Sequence, residues 1–154
     1  MIFDSRVYCD FIDQDKRSLL LVIANVGVDS FKWFLDNKLL IEQQILIHGG
    51  ILFRNFNISS VSEFNKIVQI LAPNLLDYQY RFTPRTRLGG KIFTATEYPA
   101  DRMIPLHNEN SYTNFWPEQI FFLSVLAASD GGQTPVADSR KIYSSIAPNI
   151  RTKF

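Results

Sequence analysis

Apolar positions first accumulate in the nearly continuous run from Leu19 to Val28, which follows the mixed-charge stretch Asp13-Gln14-Asp15-Lys16-Arg17. The run is too short to cross a bilayer and reads as a buried strand. Beyond it, Phe31, Phe34, Leu35, Leu39, Ile45 and Leu46 approximate one helical face, with Ser30 as the N-cap and Gly49 as the stop. Ser60-Val61-Ser62-Glu63 has the form of a capping box, and Phe64, Ile67, Val68 and Leu71 follow at helical spacing. A second helix is therefore predicted over 61–72, ending near Pro73-Asn74. Gln119 to Ala127 is apolar almost throughout and is bounded by Pro117 and the Asp130-Gly131-Gly132 turn. It predicts a core strand of a sandwich or barrel, paired with the segment that carries His107. The pattern implies mixed α and β structure around a sheet core, without an internal repeat or a domain linker.

Composition narrows the class without naming a function. The 154 residues are 46% hydrophobic and 14% aromatic, enough for one core, and a net charge of +1 gives no reason to expect nucleic acid or an anionic membrane as partner. The single cysteine, Cys9, has no internal disulfide partner and reads as a passive thiol. No targeting segment is visible, so the expected compartment is the cytoplasm. Arg81, Arg85, Arg87 and Lys91 form the densest basic stretch, in a loop with Pro84 and Gly89-Gly90, and read first as a solvated loop. His48, just before Gly49-Gly50, reads as a residue of the helix C-terminus that interacts with the last carbonyls.

Chemistry concentrates in Ile104-Pro105-Leu106-His107-Asn108-Glu109-Asn110-Ser111-Tyr112. On extended backbone His107 and Glu109 share one face. Two such ligands and a distant second histidine make the facial triad that holds non-haem Fe(II) with three positions open. With two histidines and 15 acidic residues, a chance His-x-Asp/Glu pair is expected about 0.2 times in such a chain, so the pair alone decides little. Competing chemistries have less support. The chain has no Gly-x-Ser-x-Gly elbow to accompany His48-Gly49-Gly50 as a hydrolase, no phosphate-binding glycine loop, and no zinc-site spacing. Asn108, Asn110, Ser111 and Tyr112 read as residues that fix the turn by hydrogen bonds, with a metal-supporting or substrate-contact role as the alternative.

Context on both sides of the pair carries more weight. Thr94-Ala95-Thr96-Glu97-Tyr98-Pro99, Ile104 to Tyr112, Trp116-Pro117, Phe121-Phe122, Gly131-Gly132-Gln133-Thr134 and Ala137-Asp138-Ser139-Arg140 together resemble the taurine-dioxygenase-like (TauD/TfdA) family of Fe(II)- and 2-oxoglutarate-dependent dioxygenases. The resemblance runs from about Asp29 to Phe154 and includes the strand-Arg-aromatic signature Ile51-Leu52-Phe53-Arg54-Asn55-Phe56. It implies an α+β chain forming the N-terminal portion of a double-stranded β-helix (jelly roll) with flanking helices. It also implies His107 and Glu109 as iron ligands, with 2-oxoglutarate and O2 as co-substrates. Thr134, 27 residues after His107, is implied to help hold a 2-oxoglutarate carboxylate. Glu109 favours hydroxylation or desaturation, because halogenating relatives lack this carboxylate. The branch resembled is one that modifies amino acids in peptide natural-product pathways, so the expected substrate is an amino acid or carrier-bound aminoacyl group. By the same resemblance the basic loop has a second reading, as a clamp for an acidic substrate or a phosphopantetheine arm.

The family's distal histidine and 2-oxoglutarate-binding arginine sit well over a hundred residues beyond the Gly-Gly-x-Thr turn, whereas 20 residues follow Thr134 here. Arg151 is too early for that arginine. Residues 1–154 are therefore expected to be a single partial dioxygenase domain lacking its C-terminal half. The alternative to an active dioxygenase is a catalytically inactive truncated remnant or split half. A complementary half or a second copy of the chain is the expected macromolecular partner.

Overall fold

A computed structural model describes residues 2–13, 18–77, 84–95, 99 and 102–153. Its elements in chain order are β1 (Val7–Asp13), β2 (Ser18–Ala24), α1 (Ser30–His48), β3 (Ile51–Arg54), α2 (Val61–Leu71), β4 (Arg87–Gly89), β5 (Ile92–Phe93), α3 (Ser139–Ser145) and α4 (Pro148–Arg151). The α+β expectation is met. Strands β1, β2 and β3 form one sheet in that order; β1 is antiparallel to β2, and β2 is parallel to β3, with Leu20 opposite Ile51 and Val22 opposite Phe53. A parallel pair needs a long crossover, and α1 supplies it.

Alternation along β2 turns Leu20, Val22 and Ala24 into the core, where the first two are fully enclosed. The predicted strand is shorter than its apolar run, because the chain turns at Asn25. Gly27 takes φ +84°, Val28 N–H donates to Asn25 O at 3.3 Å, and Val26 is left in solvent. Against this face α1 lays Trp33, Phe34 and Ile41, and α2, packed on α1, contributes Ile67 and Leu71 to the same core and buries Val68 as well. Trp33 is fully enclosed and meets Phe3, Phe34, Phe53 and Phe56 at ring-centroid distances of 4.9 to 6.2 Å. These tilted and edge-on contacts suit the ring quadrupoles and bury much of the chain's aromatic area in one place.

Helix α1 departs from expectation in two respects. Its N-cap is Asp29, whose carboxylate accepts from Lys32 N–H at 3.0 Å; Ser30, expected as the cap, instead donates its hydroxyl to Phe56 O. Its buried face is Ser30, Trp33, Phe34, Asn37 and Ile41, while Leu35, Leu39 and Leu46 are exposed. Apolar residues surround this helix almost completely, so periodicity alone selects no face. The end is as expected: Gly49 adopts φ +75° and donates to Ile45 O at 2.7 Å, a left-handed cap that a side chain would strain. The capping box of α2 is present in full, with Ser60 accepting from Glu63 N–H and Glu63 accepting from Ser60 N–H.

The expected core strand Gln119–Ala127 is not formed. The segment is irregular, and Ile120, Phe122, Val125 and Leu126 are exposed; Phe121 alone of this group packs against the core. A strand exists only as part of a ladder, and the expected partner around His107 is irregular too. Near the N-terminus, Arg6 binds Asp4 through a fork of bonds at 2.8 to 3.1 Å and reaches Asp36 of α1 at 3.0 Å. The Arg6 guanidinium beside it holds the Asp4 carboxyl down at about 2, against an ordinary 3.8.

Two outcomes follow from this packing. Leu20→Ala should destabilise the chain by about 2–5 kcal/mol in denaturant titration, since the cavity opens in the fully enclosed core of the sheet; a loss well under 1 kcal/mol would contradict the enclosure of Leu20. Because the Asp4 pKa is lower folded than unfolded, its stabilisation is present above pH 3.8 and is lost as the pH falls towards about 2. Asp4→Asn should therefore flatten the melting temperature's dependence on pH in that window, and an unchanged slope would show that the Arg6 pairing contributes nothing.

Candidate metal centre

His107 and Glu109 lie in irregular chain between the hairpin β4–β5 and α3, with 103–108 lacking regular structure and 109–112 forming a turn. This replaces the expected placement of both ligands on a sheet face. Pro105 bars its own nitrogen from any ladder, and Asn110 at φ +56° bends the chain immediately after Glu109. Thr113 N–H closes the turn on Asn110 O at 3.0 Å, and Ser111 N–H donates to Asn108 O at 3.4 Å. The flanking polar residues thus do fix the turn.

Side-chain bonds supply the order that the backbone lacks. His107 Nδ1 lies 2.8 Å from Pro105 O. A carbonyl has no proton to give, so in the neutral ring Nδ1 carries the proton and Nε2 keeps the lone pair. That is the tautomer in which metal-binding histidines are usually held, the far nitrogen facing the cation. Glu109 is held from another element: Arg85 Nη2 donates to Glu109 Oε1 at 3.2 Å, and the two side chains are 23% and 21% exposed. A carboxylate that binds a cation through one oxygen leaves the other for such a contact. Beside it Asn110 Oδ1 is enclosed and accepts no hydrogen bond from the described residues.

Two anchors tie this loop to the fold. Arg85 stands just before β4, and the hairpin is locked by Thr86 N–H to Thr94 Oγ1 and Thr94 N–H to Thr86 O, both 2.8 Å. Arg87 fastens it further, to Asp77 at 2.9 Å and Gly90 O at 2.8 Å, with its guanidinium 5.0 Å from the Phe93 ring. Lys91 donates to Leu75 O. Arg85, Arg87 and Lys91 are therefore engaged within the chain and do not form a free basic clamp; Arg81 lies outside the described residues. On the other side, Ser139 of α3 donates to Asn108 Oδ1 at a long 3.5 Å. The next residue, Arg140, caps α1 by donating to Leu46 O at 3.1 Å and Ile47 O at 3.3 Å. A cation at that helix end meets the negative pole of the dipole. Asp138 holds Arg140 in place, and the pairing lowers the Asp138 carboxyl below its ordinary value. His48, in the last turn of α1, meets the Phe11 ring at 5.2 Å in a tilted contact, while Arg140 makes the bonds to the carbonyls of Leu46 and Ile47 expected of His48.

Thr134 is exposed in an irregular segment after Gly131 and Gly132, both at positive φ, and makes no hydrogen bond to His107 or Glu109 among the described residues. Among the described residues no group of three or more His, Cys, Asp and Glu side chains is arranged to hold a metal ion. Thr96, Glu97 and Tyr98 lie outside the described residues. Sequence reading missed the partner of Glu109, since Arg85 lies 24 residues upstream and registers only as one of a basic group.

An imidazole with its lone pair on Nε2 and a carboxylate steadied through one oxygen fit a divalent cation by donor chemistry, as in the non-haem metal oxygenases. Comparison with known proteins agrees in class. The family model described as "Taurine catabolism dioxygenase TauD, TfdA family" matches residues 17–154, and the chain belongs to this family. It is 38% identical over 134 residues to the dapdiamide synthesis protein DdaC of Enterobacter agglomerans, covering 87% of this chain and 40% of that protein. It is 36% identical over 128 residues to a clavaminate synthase-like protein of Arabidopsis thaliana, covering 82% of this chain and 36% of the relative. The chain thus spans about two fifths of the length of these relatives.

Proposed function

We propose that this chain contributes the two-ligand part of an Fe(II)- and 2-oxoglutarate-dependent dioxygenase site, with His107 Nε2 and Glu109 as the iron ligands. The observation that carries this reading is the pairing of His107 Nδ1 with Pro105 O and of Glu109 Oε1 with Arg85. Each candidate ligand is tied at one atom and leaves another for a cation. Membership of the family supports the cofactor set and a jelly-roll domain to which these residues would belong.

Iron with 2-oxoglutarate and O2 would supply the oxidising chemistry: 2-oxoglutarate and O2 would give succinate and CO2, coupled either to hydroxylation of a substrate C–H or to desaturation with release of water. The chain's own residues bind and orient. His107 and Glu109 hold the metal, and Thr134, on its glycine turn, steadies a carboxylate of 2-oxoglutarate. The substrate proposed is a small one, an amino acid or carrier-bound aminoacyl group. Support for this comes from the relatives' names, which refer to dapdiamide synthesis and to clavaminate synthase. Among the described residues no helix is long and apolar enough to cross a membrane. A cytoplasmic setting is supported by the single Cys9, whose thiol burial pushes up and so makes less reactive. A complementary polypeptide or second copy, covering the exposed side chains of Phe115, Trp116 and Phe122, is the proposed protein partner.

Anaerobic calorimetric titration with Fe(II) tests the ligand assignment. Binding should be weaker than for a three-ligand site and should disappear in His107→Ala and Glu109→Ala. One-to-one binding that survives His107→Ala would show that the metal sits elsewhere. Succinate formation by a protein containing this chain and a third iron ligand should likewise require Glu109.

A further inference from the structure

We infer that Arg85 is a positioning residue for the metal site: its guanidinium holds Glu109 in the one-oxygen geometry that receives the cation. The inference rests on the ligand assignment proposed above, and adds to it a residue from a different element with a defined role.

Geometry carries the argument. Glu109 sits in a turn with no ladder to fix it, yet its side chain is only about one-fifth exposed, and Arg85 Nη2 meets Oε1 at 3.2 Å. Arg85 is itself well placed to hold something. It leads into a hairpin that Arg87 and Lys91 pin to the stretch after α2, so the guanidinium projects from a braced element. A planar fork is suited to orient a carboxylate plane, whereas an ammonium group acts as a point charge.

A positive charge beside a metal site has two opposed effects. Through space it repels a second cation, so a guanidinium that merely happened to be near would weaken metal binding, and its removal would strengthen it. By orienting the ligand it lowers the cost of ordering the carboxylate, and its removal weakens binding. Partners of metal ligands act in the second sense, with losses of about 10–100-fold when they are removed. The sign of the change therefore separates positioning from bystander electrostatics.

The test is Mn(II) affinity of the whole chain by electron paramagnetic resonance, with no turnover required. Wild type, His107→Ala, Arg85→Gln and Arg85→Lys are compared, with Arg85→Met, which keeps the apolar stem, reporting in place of Arg85→Gln should that variant unfold. The expected result is wild-type binding that is lost in His107→Ala, weakened about 10–100-fold in Arg85→Gln, and partly restored in Arg85→Lys. Affinity unchanged or tighter in Arg85→Gln, with binding still dependent on His107, overturns the role of Arg85 and leaves the ligand assignment standing. Wild-type binding that is absent, or indifferent to His107→Ala, overturns the ligand assignment and the role of Arg85 with it.

Discussion

A side chain on irregular backbone is ordered only through its own bonds, and for Glu109 that bond is the 3.2 Å contact with Arg85. Among the described residues no ladder hydrogen bonds hold the segment from Met103 to Asn108, and the turn that follows fixes the backbone without fixing where the carboxylate points. The guanidinium does that from across 24 residues of sequence. His107 is ordered more locally, by a carbonyl two residues back. One candidate ligand is thus set by its own loop and the other by a residue from a different element.

The fold transmits this order in steps. Aromatic packing around Trp33 seats α1 on the β1-β2-β3 sheet, and α2 packs beside α1 with Ile67, Val68 and Leu71 buried. The chain leaving α2 provides Leu75 O and Asp77, to which Lys91 and Arg87 fasten the hairpin. From the other side, Arg140 ties the start of α3 to the end of α1, next to Asn108. The loop bearing His107 and Glu109 lies between these two attachments. Its neighbours are anchored by these bonds even though its own backbone is not regular.

Local features were legible in the sequence. The Ser60 and Glu63 box, the Gly49 stop and the existence of strand β2 each depend on a few adjacent residues, and each stands as expected. Non-local ones were not. The buried face of α1 could not be chosen because apolar residues nearly encircle it; β1 went unseen because its outer edge mixes Tyr8, Asp10 and Ile12 in one alternation. The hairpin went unseen because its strands have three and two residues. The apolar stretch at Gln119–Ala127 shows the reverse error: its composition suits a strand, but composition supplies no partner edge. At the site, the residue types His107 and Glu109 were legible from spacing and family resemblance, while the partner of Glu109 required the three-dimensional structure.

Pro105 O, 2.8 Å from His107 Nδ1, holds the proton on that nitrogen and leaves Nε2 free for the proposed cation. Long-range proton–nitrogen correlation spectra of the histidine rings test it directly, since His107 and His48 are the two in the chain. The account predicts that neutral His107 is the Nδ1-protonated tautomer and that Mn(II) broadens His107 while leaving His48 sharp. A neutral His107 protonated on Nε2, or broadening confined to His48, would contradict it.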